Sequence, residues 1–168
     1  WGKVHLKYLK KNRNINIKYI VFKKNKKNLL NPKLKKYKLT NNLKLVLNDE
    51  SIDYIDLVTP IDTHSLLTKK FIIKNKKVLV EKPLIMKKLQ EKFFKKNSNL
   101  ITVSYPYLYS KTLNEGKKII KKGIIGKLRF IEISILQCGR FNKFNVFELL
   151  APHAISIFSK FFDLKNVQ

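Results

Sequence analysis

Small residues and sulfur are scarce in this 168-residue chain: five glycines, one cysteine, one methionine, and alanine only as Ala151 and Ala154. The lone Cys138 excludes an intrachain disulfide, and no His or Cys stands at ligand spacing around it, so there is no zinc pattern and no metal is expected. It reads as a small buried hydrophobe. Hydrophobic runs of the roughly 18 residues that a membrane helix needs are missing. The lysine-rich start has neither the apolar stretch nor the small-residue cleavage site of a secretory signal, and a cytoplasmic protein with no membrane partner is expected.

Acidic residues are few as well, 11 against 37 basic, for a formal net charge of +26. Such an excess ordinarily points to nucleic acid. Only Arg13, Arg129 and Arg140 are arginine, however, whereas phosphate and groove recognition draws on the planar guanidinium fork. Lysine, asparagine, isoleucine, phenylalanine and tyrosine, all abundant here, share A/T-rich codons. The charge therefore reads as base-composition bias spread over solvated faces, with salt-sensitive sticking to polyanions but no specific nucleic-acid partner.

What is present is a globular pattern, 44% hydrophobic. Val4, Leu6, Tyr8 and Leu9 fit a short helix, and Ile17 to Phe22 a β-branched and aromatic strand. A lysine- and asparagine-rich stretch interrupted by Pro32 follows. Leu43 to Leu47 suits a helix, Tyr54 to Val58 a strand closed by Pro60, and Thr63 to Asn75 a helix. Val78 to Val80 reads as a strand, Leu84 to Lys96 as a helix and Leu100 to Val103 as a strand. Strands alternating with helices of this length are the mark of βαβ units, hence a parallel, doubly wound α/β sheet through about Ser104. Then come a helix through Lys122, a turn at Gly123-Ile124-Ile125-Gly126, a strand from Leu128 to Leu136, and a helix opening near Pro152.

The most specific segment runs from Ile52 to Leu84: a strand ending in Thr59-Pro60, then His64, then a strand ending in Glu81-Lys82-Pro83. With this order the chain resembles the Gfo/Idh/MocA (glucose-fructose oxidoreductase / inositol dehydrogenase) family. In open α/β sheets ligands bind beyond the carboxyl ends of the strands, where both motifs lie. A lysine there, partly desolvated, can donate to or exchange a proton with a substrate hydroxyl. His64 reads equally as a capping or packing histidine.

Trp1-Gly2-Lys3 resembles the end of the family's Gly-x-Gly-x-x-Gly fingerprint, with Gly2 as its third glycine at the start of a pyrophosphate-binding helix. The resemblance thus implies a chain truncated at both ends. It implies a Rossmann-type parallel sheet lacking its first strand over residues 1–104, followed by the start of an α+β substrate and oligomerisation domain over residues 105–168. Lys23 stands where an acid usually binds the adenosine ribose; it either pairs with the 2′-phosphate of NADP or marks a lost role, so NAD and NADP both remain open.

Farther on, Asn145-Val146 and Ala151-Pro152-His153-Ala154-Ile155-Ser156-Ile157 resemble a segment of members acting on nucleotide-linked amino sugars. The resemblance assigns His153 as the acid/base and Lys82 as its partner on the substrate oxygen. It assigns Trp1, Gly2, Lys23, Thr59, Pro60, His64, Glu81, Lys82 and Pro83 to the cofactor. An NAD(P)-dependent sugar or polyol dehydrogenase, homo-oligomeric at full length, is the expectation. Leu149 and Ala154 replace aspartates common in the family, which leaves a catalytically inactive relative that binds nucleotide or sugar as the alternative.

Overall fold

The computed structural model describes residues 1–23, 34, 36–85, 88–136 and 145–162. The chain opens with helix α1 (Gly2–Leu9) and strand β1 (Tyr19–Val21). Strand β2 (Lys38–Thr40), which the sequence did not announce, pairs with β1 in parallel. Its three residues are too few for a period-2 pattern to register. Residues 24–33, with Pro32, lie outside the described residues, as does Cys138.

Helix α2 (Leu43–Asn48) starts where the Asn42 side chain accepts from the amides of Lys44 and Leu45, filling two of the donors a helix leaves open. Strand β3 (Tyr54–Leu57), helix α3 (His64–Ile73), strand β4 (Lys77–Glu81), helix α4 (Glu91–Lys96) and strand β5 (Ile101–Ser104) follow. Strands β3, β4 and β5 form one parallel sheet in that order, with Leu57 opposite Val80 and Val80 opposite Val103. The parallel α/β arrangement expected of the sequence is therefore present. It comes in two pieces, β2-β1 and β3-β4-β5, and among the described residues β1 does not pair with β3.

Helix α3 ends on Asn75 at φ 55°, with Lys76 N–H returning to the Phe71 carbonyl and Asn75 N–H to that of Ile72. This left-handed stop needs a residue that tolerates positive φ, which asparagine does. It turns the chain directly into β4. The β4 side chains then alternate: Val78 and Val80 are fully buried, while Leu79 and Glu81 are half-buried on the other face. The buried face packs with Leu57, Phe71, Ile72, Leu84, Phe94 and Val46, a single apolar cluster. Each such side chain contributes about 1.5–3 kcal/mol by leaving water.

Helix α5 (Lys111–Lys121) is capped by the Ser110 hydroxyl and stops at Gly123, whose φ of 72° again supplies a left-handed residue. Three expectations need correction. The helix expected from Leu84 begins in earnest only at Glu91, after a tight turn over Lys88–Gln90. Residues 128–136 show the in-and-out burial of a strand, with Ile131, Ile133 and Ile135 half-buried, yet pair with no neighbour among the described residues. Pattern alone makes a strand candidate; a ladder partner makes a strand. Finally, helix α6 (Val146–Phe158) opens at Asn145, not at Pro152. Asn145 accepts from Glu148 N–H while Glu148 accepts from Asn145 N–H, a reciprocal capping box that outweighs the proline as a start signal.

Candidate active site

The parallel register sets the ends of β3, β4 and β5 along one edge, so Thr59, Glu81-Lys82 and Tyr105 emerge together. His64, the first residue of α3, is 1% exposed and ties this edge: Nδ1 lies 2.9 Å from the Pro83 carbonyl and Nε2 2.8 Å from that of Thr59. Each ring nitrogen faces a main-chain carbonyl, so His64 packs between the Thr59 and Pro83 segments. Thr59 and Thr63 share a hydroxyl–hydroxyl bond of 2.7 Å, and the Thr63 hydroxyl also reaches the Pro60 carbonyl. Pro60 is exposed, Pro83 buried.

Lys82 leaves the end of β4 toward α6 and donates to the Leu149 carbonyl at 2.7 Å. Pro152, inside α6, has no N–H for the Glu148 carbonyl four residues earlier. Burial holds the Lys82 ammonium below its ordinary proton affinity, with Glu81 acting in the opposite direction.

His153 lies one turn beyond Leu149. Its ring packs edge-on against Tyr107, centroids 5.3 Å apart, and its Nδ1 is buried without a hydrogen-bond partner. Burial lowers its proton affinity, the Lys82 charge lowers it further, and Glu81 opposes both. Lys82 and His153, 71 positions apart in sequence, therefore act on each other electrostatically at one place. A buried nitrogen with no partner beside a half-buried ammonium is a donor-acceptor set ready for a hydroxyl.

At the other side of the edge, Trp1 is 79% exposed and Gly2 opens α1, where a Cβ would meet nothing within 4 Å. Nothing in the described chain itself demands glycine there. Lys23 is exposed just past β1.

Sequence reasoning missed His5 and Asp56. His5 reaches from α1 to both Asp56 carboxylate oxygens through Nδ1 (3.0 and 3.1 Å) and to Glu81 through Nε2 (3.1 Å). The available signal was an aspartate in the middle of the apolar run Tyr54-Ile55-Asp56-Leu57-Val58, where an acid requires a partner. Tyr107 carried no signal in the sequence. Among the described residues there is no group of His, Cys, Asp and Glu that could hold a metal, and no helix is long and apolar enough to cross a membrane.

Comparison with known proteins adds three solved structures. A probable oxidoreductase, yhhX, superposes with a TM-score of 0.76 at 21% identity, over 96% of this chain and 50% of its own. Myo-inositol 2-dehydrogenase from Lactobacillus plantarum gives 0.65 at 22% identity, over 75% and 39%. Scyllo-inositol dehydrogenase from Lactobacillus casei, solved with bound NAD(H) and scyllo-inositol, gives 0.61 at 15%, over 74% and 39%. These show the fold, and the chain spans about half the length of the first. No curated protein matches. The model of the Gfo/Idh/MocA oxidoreductase family, described by its NAD-binding Rossmann fold, matches residues 1–104, and the chain belongs to that family.

Proposed function

We propose that this chain carries the cofactor-side domain, residues 1–104, and the opening of the substrate domain, residues 105–168, of an NAD(P)-dependent oxidoreductase acting on a sugar or polyol hydroxyl. The observation that carries this reading is the meeting of Lys82 with the turn of α6 that bears His153, whose Nδ1 is buried and unpartnered. When bound, the nicotinamide supplies the hydride acceptor or donor. Lys82 donates a hydrogen bond to the substrate oxygen, and His153, kept neutral by burial and by the Lys82 charge, accepts the hydroxyl proton. Tyr107 covers the ring and limits its access to water.

The cofactor is held at the start of α1 near Gly2 and along Thr59 and Lys82, with Lys23 facing the adenosine end. Two solved relatives are named as inositol dehydrogenases, which supports a polyol or sugar ring as substrate. The 151–157 segment favours a nucleotide-linked amino sugar within that class, and self-association of the full-length protein belongs to the same reading.

Calorimetric titration of the protein with NAD⁺ and NADP⁺, followed by turnover assays on inositols and nucleotide-linked sugars, tests the proposal. Binding of either cofactor together with turnover supports it, and neither binding nor turnover overturns it. Lys23→Ala separates the cofactors: a selective loss of NADP⁺ binding assigns Lys23 to the 2′-phosphate. Leu149 favours a second reading, an inactive binder, because a leucine one turn before His153 gives the ring no anion. Cofactor binding without turnover on any substrate is its signature.

A further inference from the structure

We propose that His5 is a positioning residue for Lys82: by holding the Glu81 carboxylate against α1, it keeps that carboxylate from pairing with the neighbouring ammonium. This rests on the reading of Lys82 as the lysine of the site.

Glu81 and Lys82 are adjacent, yet their polar ends part. The Glu81 carboxylate meets His5 Nε2 at 3.1 Å, whereas the Lys82 ammonium crosses to the Leu149 carbonyl on α6. Among the described residues no carboxylate lies within salt-bridge distance of Lys82. The His5 ring is anchored on its far side by both oxygens of Asp56. In its charged form an imidazole has two N–H donors, so two flanking carboxylates fix its orientation and it fixes theirs. His5, Asp56 and Glu81 are each less than a fifth exposed, where screening by salt is weak.

The strand residue Asp56 gives the device its rigidity. Burial raises its proton affinity, the Glu81 charge adds to the rise, and His5 offsets part of it. Charged and titratable groups facing the ring are Asp56 from β3 and Glu81 from β4. Those acting on Lys82 are Glu81 from its own strand and His153 from α6. If His5 is removed, Glu81 has no partner on the α1 side and Lys82 is the cation next to it. Pairing would strengthen the hold of Lys82 on its proton and draw it from the Leu149 carbonyl.

The pH dependence of Lys82 acetylation by acetic anhydride, read by peptide mass spectrometry on the folded full chain, reports on the amine directly and needs no turnover. In His5→Ala the midpoint for Lys82 is expected to rise by about one pH unit. In His5→Ala with Glu81→Gln it is expected to fall back to its starting value or below it, because the Glu81 charge already raises it. An unmoved midpoint in the single variant, or a rise that persists in the double variant, overturns the proposal. Should His5→Ala fail to fold, His5→Phe with Asp56→Leu removes both partners, so that Glu81 is the one carboxylate of the three groups left, free to pair with Lys82. The same rise is expected there, and its absence overturns the proposal equally. NAD⁺ binding by the unsubstituted protein is measured alongside: its failure removes the oxidoreductase reading while the Lys82 midpoint remains interpretable.

Discussion

The Lys82 ammonium donates to the main-chain carbonyl of Leu149 across 67 positions of sequence, at 2.7 Å. This bond joins the end of β4 to the turn of α6 that precedes His153 and brings the two candidate catalytic residues to one place. Removing the ammonium tests what it does. Lys82→Met is expected to lower turnover by about 10²–10⁴-fold, with a smaller loss of cofactor affinity. Steady-state kinetics paired with calorimetric cofactor titration separate the two effects.

His153 makes acid stability a diagnostic. Burial and the Lys82 charge hold its proton affinity below that of a free histidine. Above the ordinary value of about 6.5 the ring is neutral in folded and unfolded chains alike and contributes nothing to pH dependence. As pH falls below that value the unfolded chain takes up the proton first, so stability declines until the folded ring is protonated too. His153→Leu should therefore flatten the fall of Tm between about pH 7 and about pH 5. Thermal melts across that range would show it, and an unaltered slope counts against a buried, neutral His153.

Leu149 occupies the position one turn before His153 on α6. Leu149→Asp places a carboxylate beside the ring, which favours the imidazolium and orients it. The His153 pKa, followed by NMR of the ring protons, is expected to rise, and turnover to increase with it. A pKa that moves without any gain in rate would assign the limiting defect elsewhere, with Ala154 the next position to restore.

His64 predicts a stability loss with no chemistry of its own. Its ring occupies the carbonyls of Thr59 and Pro83 in a site 1% exposed. His64→Ala removes the hydrogen bond the ring donates to main chain and opens a cavity in the interior, and should destabilise the fold by about 2–4 kcal/mol. Urea denaturation measures this. A change below about 0.5 kcal/mol would mean that water replaces the ring without penalty.

Much of the fold was legible locally. Apolar alternation marked β3, β4 and β5, and Asn75 and Gly123 stand where left-handed helix stops require such residues. The start of α6 was not read correctly: the expectation rested on Pro152, whereas reciprocal hydrogen bonds between Asn145 and Glu148 at the true N-terminus outweigh one missing donor in the interior. β2 and residues 128–136 mark the limit of pattern reading in opposite directions. Three residues became a strand because β1 lies beside them, while the alternating residues 130–136 remained unpaired among those described.

The sequence by itself determined the parallel α/β class and the order of Thr59-Pro60, His64 and Glu81-Lys82-Pro83. These follow from periodicity and residue chemistry, which act over a few positions. Tertiary structure alone decided that His64 turns inward to bind main chain, that Lys82 meets α6, and that His5 joins Asp56 and Glu81. Those choices depend on which polar groups lose water together when helix and sheet close on each other. A buried donor or acceptor must then find its partner in space, however far away that partner lies along the chain.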